Sequence, residues 1–359
     1  MQADIKARDP FIDVVKGIGI LSIVIGHASW DISAGEVTIH AGPFVYLYHL
    51  AVFFFCSGYL YKDNIVNYWD FAARKLKGLY GPFLVYTLVY LACRNLFIYI
   101  GILQGAWYSP GEWVIAVTNT IAFQSVGEFL SAFWFLPVLF FALCLYAAVI
   151  YLTRGISHRV WREGIRALCF IAAGAVGLYT TGHQYGMLFN LQISYLMIPV
   201  IALGHYFAAC REKLKWMVNP AGLAVSFLAL AWVVESDIGM IELSRFQIIS
   251  PLAFYPVTVC GIWFCLCLGK LLCLSKRLTG LFALAGRMSF DIMALHFLAL
   301  KLVDFIVCHL TGKTEMMAEF PHSFTGLWPI YYIAGMVVPI LLKRAWLRVY
   351  GTLRRKEVA

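Results

Sequence analysis

Apolar runs of about 20 residues, separated by short polar stretches, recur along this chain, and a run of that length spans a bilayer as a helix. The pattern predicts ten spans, near residues 14–33, 43–62, 79–103, 131–153, 167–182, 191–209, 220–236, 249–272, 288–309 and 326–343. The stretch from Glu112 to Phe123 is shorter and amphipathic, which fits a helix lying in the membrane interface or a re-entrant piece. The expected fold is all-α: a polytopic membrane protein of about ten transmembrane helices, one membrane-embedded domain over residues 1–359. Composition excludes a soluble protein, because 62% of the residues are hydrophobic and 13% charged, against about 45–50% and 25% in soluble domains.

The formal charge of +9 comes from 28 Lys and Arg scattered in short clusters, which points to membrane orientation rather than nucleic acid. With both termini cytoplasmic, every Lys and Arg except Arg94, Arg245, Lys301 and Lys313 falls at a cytoplasmic end or loop, from Lys6, Arg8 and Lys16 onward. An even number of spans satisfies that asymmetry and an odd number breaks it. The expected location is the cell membrane, with the first span retained because no small-residue cleavage site follows it. The ten cysteines sit in or beside apolar segments without paired spacing, as reduced packing residues do.

Ionisable side chains inside spans are costly and are candidate functional groups. His27 follows Lys16 by eleven residues, about three helical turns and roughly 16 Å of rise, so the two share a helix face. Asp13, three residues before Lys16, lies near the same face. The same spacing suits a Lys16 that snorkels to headgroups beside a hydrogen-bonded bundle histidine. His49 and His296 fall in the middle band of two other spans, where structural and functional roles are both open. Lys301 and Asp304, at i and i+3, are placed to pair with each other. Gly17, Gly19 and Gly26 read as close-packing positions rather than a dinucleotide loop, since no strand precedes them. The hydrolase elbow, the HExxH metalloprotease helix and the P-loop are absent, and no metal is expected. Arg74, Lys75 and Lys77 form a cationic cluster before the third span that suits anionic lipid or phosphate.

Several segments resemble the acyltransferase 3 family of integral-membrane acyltransferases, in particular its fucose 4-O-acetylase-like branch. Ile12-Asp13-Val14-Val15-Lys16-Gly17 through His27 is similar to the family's first-span pattern. Tyr48-His49 followed by Phe53-Phe54-Phe55-Cys56-Ser57-Gly58-Tyr59 is similar to its second, with Ala51 where a Pro is usual. Arg74-Lys75-Leu76-Lys77 with Pro82, Trp134-Phe135-Leu136, and Gly286 through Ser289 to His296 resemble its later motifs, in order. The resemblance implies transfer of an acyl group, usually acetyl, from cytoplasmic acetyl-CoA to a hydroxyl of a cell-envelope sugar, polysaccharide or glycolipid. Catalytic positions would be His27, Lys16, Asp13, His49 and His296, and the donor would be held by Lys16, Arg74, Lys75 and Lys77. His49, Trp134, Ser57 and Ser289 would meet the substrates. The expected partners are acyl-CoA, the envelope acceptor and membrane lipids, with no nucleic acid; oligomeric state and acceptor identity are open.

An imidazole titrating near neutrality suits His27 as general base on the acceptor hydroxyl, and acetyl-His27 as a covalent intermediate is the other route. His49 or His296 would orient the acceptor or stabilise the thioester oxyanion. The competing class is a proton-coupled transporter or flippase that uses the same midplane histidines without a donor. The loop from Thr311 to Thr325, with His309, Glu315, Glu319 and His322 around it, is a candidate contact for the acceptor, with a solvated loop the more frequent case.

Overall fold

Asp9 starts the first helix, Pro10–Ala28 (α1), by accepting a 3.0 Å hydrogen bond from the Phe11 amide, with Pro10 in the first turn; both are standard start signals. The computed structural model describes residues 9–34, 37–236 and 238–357, so Lys6 and Arg8, expected at the cytoplasmic end, lie outside the described residues. Next come a short antiparallel hairpin, Ile32–Ala34 (β1) with Val37–Ile39 (β2), in which Ser33 faces Thr38, and then Ala41–Tyr46 (α2) and His49–Tyr59 (α3). The remaining helices are Tyr68–Tyr99 (α4), Pro110–Ile121 (α5), Phe135–Thr153 (α6, preceded by a 3₁₀ turn Glu128–Trp134), Arg159–Gly182 (α7) and Leu191–Leu214 (α8). Pro220–Glu235 (α9), Pro251–Leu272 (α10), Lys276–Arg287 (α11), Ser289–Thr311 (α12) and Trp328–Glu357 (α13) complete the chain.

Among the described residues eight helical stretches are long and apolar enough to cross a membrane, α2 and α3 counting together as Ala41–Tyr59. Two further predicted spans fall on α9, apolar but of 16 residues, and on α12, which carries Asp291, Lys301 and Asp304. The protein is thus an all-α, multi-pass membrane protein. α1 is central, with 72% of its spanning window buried, whereas α4 and α13 are peripheral at 22% each. All ten cysteines are free thiols.

Several boundaries shift from the sequence expectation. α1 ends at Ala28, where the chain turns into the hairpin, rather than at residue 33. α4 begins at Tyr68, so Arg74, Lys75 and Lys77 sit on a helix rather than in a loop. α7 likewise takes in Arg159, Arg162 and Arg166; Arg166 is buried and satisfied by Thr153 Oγ1 at 2.9 Å, the Ile150 carbonyl at 3.3 Å and Glu163 at 3.1 Å. The amphipathic stretch from Glu112 is helical as expected, within α5, opened by a reciprocal Ser109/Glu112 cap.

Small residues let helices meet backbone to backbone. A Cβ on Gly17 would strike the Phe282 carbonyl of α11, and one on Gly286 would strike the Asp13 carbonyl of α1. Gly58 of α3 and Gly204 of α8 are matched in the same way against the carbonyls of Ile201 and Phe55. Gly19 sits against Phe53 and Gly26 against Tyr46, so all three α1 glycines are packing positions.

Candidate active site

One face of α1 lines two cavities laid end to end. Lys16, Ile20 and Ile23 line a cavity of about 210 Å³, and Ile23, Gly26, His27 and then Trp30 line a second of about 860 Å³. That is the face that the eleven-residue spacing of Lys16 and His27 defines. Three residues, Ile23, Phe135 and Met293, belong to both cavities and form the wall between them.

The second span is broken where it meets the larger cavity. Its residues Leu47 and Tyr48 leave helical continuity, Tyr48 with φ −144° and ψ −20°, and α3 starts at His49. Non-helical backbone at membrane depth is tolerated where it lines a cavity or is buried in protein. Here both conditions hold: Tyr48 is buried, its hydroxyl lies 3.1 Å from Ser22 Oγ, and Leu47 to Ala51 line the cavity. The Val45 carbonyl, which also accepts from the Tyr48 amide at 3.2 Å, accepts a 2.9 Å hydrogen bond from His49 Nδ1. A carbonyl only accepts, so Nδ1 carries the proton and Nε2 keeps a lone pair. His49 is thereby presented as a hydrogen-bond acceptor.

His27 and His296 come together, their rings stacked at 5.3 Å between centroids, with Phe297 at 4.7 Å from His27 and 4.1 Å from His296. His296 is fully buried and does not line either cavity; its Nδ1 donates to the carbonyls of Ile292 at 3.1 Å and Met293 at 2.9 Å. Its Nε2 is buried without a hydrogen-bond partner. It stands directly behind His27, ring against ring. His27 itself makes no hydrogen bond to another described residue and is held by ring contacts. Its nitrogens are left to whatever occupies the cavity.

The loop after α12 is not solvated throughout. Lys301 Nζ donates to Asp304 at 3.1 Å and to the Met317 carbonyl at 3.0 Å, both buried, and to the Glu319 carbonyl at the edge of the core. Asp304 also accepts from the Ser323 amide and hydroxyl, each at 3.1 Å, and from the Tyr331 hydroxyl. Lys301 and Asp304 are thus paired with each other, and the network pins the loop against the bundle. It brings His322, stacked on Tyr331 at 4.3 Å, to the wall of the larger cavity beside Phe320 and Thr325. Burial pushes the His322 imidazole below its ordinary range, so it is neutral at neutral pH. His322 was legible only as a residue beside the outer loop, for its distance from His27 along the chain carries no sign of their common cavity.

The other candidates divide between the cavities. His49 and Trp134 line the larger one, Ser57 and Ser289 the smaller with Lys16. Asp13 is buried near the base of the same helix and lines neither. Arg74, Lys75 and Lys77 line neither cavity; Lys75 lies 5.5 Å over Phe71, and Leu79, a little further along α4, reaches the smaller cavity instead. Each remaining matched segment runs along both cavities: His49 to Ser57 on α3, Trp134 to Leu136 at the start of α6, and Ser289 to Phe297 on α12. The mouth of the larger cavity combines Trp30 and Tyr46 with Asp31, Glu242 and Arg245, the mixture of apolar surface and few polar groups typical of small-molecule sites. Among the described residues no group of three or more His, Cys, Asp or Glu is arranged to hold a metal ion.

A bundle of membrane-length helices enclosing paired cavities, one histidine-lined and one reached by a lysine, defines a multi-pass membrane protein with an internal site. The chain belongs to the acyltransferase 3 family: the family model, described as an acyltransferase domain, matches residues 9–344. It is therefore a membrane acyltransferase. No curated protein and no solved structure matches the chain.

Proposed function

We propose that the protein is an O-acetyltransferase of the fucose 4-O-acetylase-like branch. It takes acetyl from acetyl-CoA at the Lys16 end and delivers it to a hydroxyl of an envelope sugar, polysaccharide or glycolipid in the larger cavity. Both termini would then face the cytoplasm, the membrane would be the cell membrane, and residues 1–359 would act as a single domain. The observation that carries this reading is that four family-matched segments each line both cavities, with Lys16 at one and His27 at the other. The narrow cavity suits a slender thioester arm, and the Lys16 ammonium suits a phosphate near its entrance. The aromatic and charged mouth of the wide cavity suits a polyol.

In the reaction, the acceptor oxygen forms a bond to the thioester carbonyl carbon while His27 takes the hydroxyl proton. The C–S bond breaks and the proton passes to the departing thiolate. His49 Nε2, an acceptor by virtue of the Nδ1 bond to Val45, would receive a hydrogen bond from a neighbouring hydroxyl of the acceptor and so orient the one that reacts. His296 would hold the His27 ring in place by stacking. The test is transfer of label from acetyl-labelled CoA into the envelope fraction of membranes holding wild type or His27→Ala at matched abundance. Label that depends on His27 supports the reading; full transfer by the variant overturns His27 as base, and no CoA binding or transfer by wild type overturns the donor.

A further inference from the structure

The wall between the two cavities has a composition of its own. Ile23 comes from α1, Phe135 from the first turn of α6 and Met293 from α12, and each is 6–7% exposed. None offers a hydrogen bond from its side chain, although the residues on either side of it do: Lys16, Ser57 and Ser289 below, His27 and His49 above. Two of the three are stiff. Ile23 is β-branched, and Phe135 is wedged between Phe53 at 6.1 Å and Phe54 at 5.2 Å. Met293 is unbranched, with a flexible thioether chain that repacks readily. Its carbonyl accepts the 2.9 Å hydrogen bond from His296, the ring stacked on His27. The wall and the proposed base are therefore joined through one residue.

We propose that Ile23, Phe135 and Met293 form an apolar gate, with the Met293 side chain as its moving part, that decides whether the acyl group goes to the acceptor hydroxyl or to water. The proposal rests on the acyl-CoA reading above. Both cavities open outward to a similar degree; with the thioester arm filling the smaller one, the way for water to its carbonyl runs through the larger, polar-mouthed cavity on the other side of the wall. A gate that stays shut keeps water from the thioester carbonyl. If it stands open, water replaces the acceptor: its oxygen bonds to the carbonyl carbon, the C–S bond breaks, and the products are acetate, a proton and the CoA thiol.

The experiment measures free CoA thiol and acetyl transfer side by side, with and without acceptor, using full-length protein in liposomes and acetyl-CoA as donor. Met293→Ala is expected to raise acceptor-free thiol release at least about fivefold relative to transfer, and Met293→Leu, of similar volume, to return the ratio to the wild-type value. Ile23→Phe, which thickens the wall, is expected to lower transfer at least about tenfold while acetyl-CoA still binds. Size-exclusion profiles and thermal unfolding of each variant separate these effects from misfolding, and Met293→Leu carries the test if Met293→Ala does not fold, by leaving the ratio unchanged where Met293→Gln raises it. Wild type that transfers acetyl, with Met293→Ala and Met293→Gln at the wild-type ratio and Ile23→Phe at full rate, overturns the gate alone. Wild type that neither binds nor consumes acetyl-CoA overturns the donor reading and the gate with it.

Discussion

The two cavities along α1 differ in almost everything except their shared wall. The smaller is a slot of about 210 Å³, mostly aliphatic and aromatic, with Lys16, Ser57 and Ser289 as its polar points. The larger, about 860 Å³, gathers His27, His49 and His322 and opens past tryptophan, acidic and basic side chains. Two sites of unlike chemistry on one helix face are what a two-substrate reaction across a membrane needs, since each substrate meets walls suited to it and they meet only at one point. A single uniform channel would serve a transported solute better, because nothing in such a channel distinguishes the molecule entering from the molecule leaving.

The comparison breaks most decisively at His27. On the proposed reading His27→Ala lowers kcat by about 10²–10⁴-fold, the usual contribution of general base catalysis, while the KM for acetyl-CoA stays within a factor of two. Steady-state kinetics on reconstituted protein measures both, and a loss confined to KM would place His27 in binding instead. A stability change comes next. Lys301→Ala leaves Asp304 buried without its cation, and breaking a buried pair from one side costs about 3–5 kcal/mol. The loop that carries His322 should loosen, so thermal unfolding drops and acceptor use suffers before acetyl-CoA binding does. Retained thermal stability would mean that the loop is held by other contacts.

Lys16→Ala sharpens the other half. Loss of one charge-assisted contact, about 1.5–3 kcal/mol, raises the KM for acetyl-CoA by about tenfold to a hundredfold and leaves the acceptor KM alone. Arg74→Ala, on an exposed stretch of α4 that lines neither cavity, is expected to change it far less; equal effects would move the donor site outward. The smallest effect belongs to the mouth. His40 Nδ1 lies 2.7 Å from Asp31, a residue lining the wide cavity, and that hydrogen bond raises the His40 pKa above its ordinary value. The pairing is therefore fully present below the unfolded-state pKa and is lost as pH rises through the raised one. Acceptor KM should drift by less than about twofold across that range and the drift should vanish in His40→Gln, which pH-dependent kinetics of the two proteins resolves.

What could be read in the sequence was whatever helical periodicity encodes. The spans, the common face of Lys16 and His27, the packing role of the α1 glycines and the Lys301–Asp304 pair all follow from residue spacing within one helix. The break before His49 does not, because residues 43–62 are apolar on both sides of it and hydropathy is blind to backbone direction. α11 also escaped, since twelve amphipathic residues between two spans read as a loop. His322 and the wall needed tertiary packing: Ile23, Phe135 and Met293 are ordinary apolar residues in three ordinary apolar runs, and only their convergence separates the cavities.

The paired glycine contacts described above have a mechanical consequence. α1 with α11, and α3 with α8, touch carbonyl to Cα, so no side chain lies between them to act as a lubricant. Sliding or rolling at those crossings would drive backbone into backbone, and the four helices amount to a chassis that carries His27 and His49 at fixed positions. Catalytic turnover then has to draw its motion from small, local parts. Evolution can retune such a machine for a new acceptor by changing the mouth and loops without ever realigning its chassis.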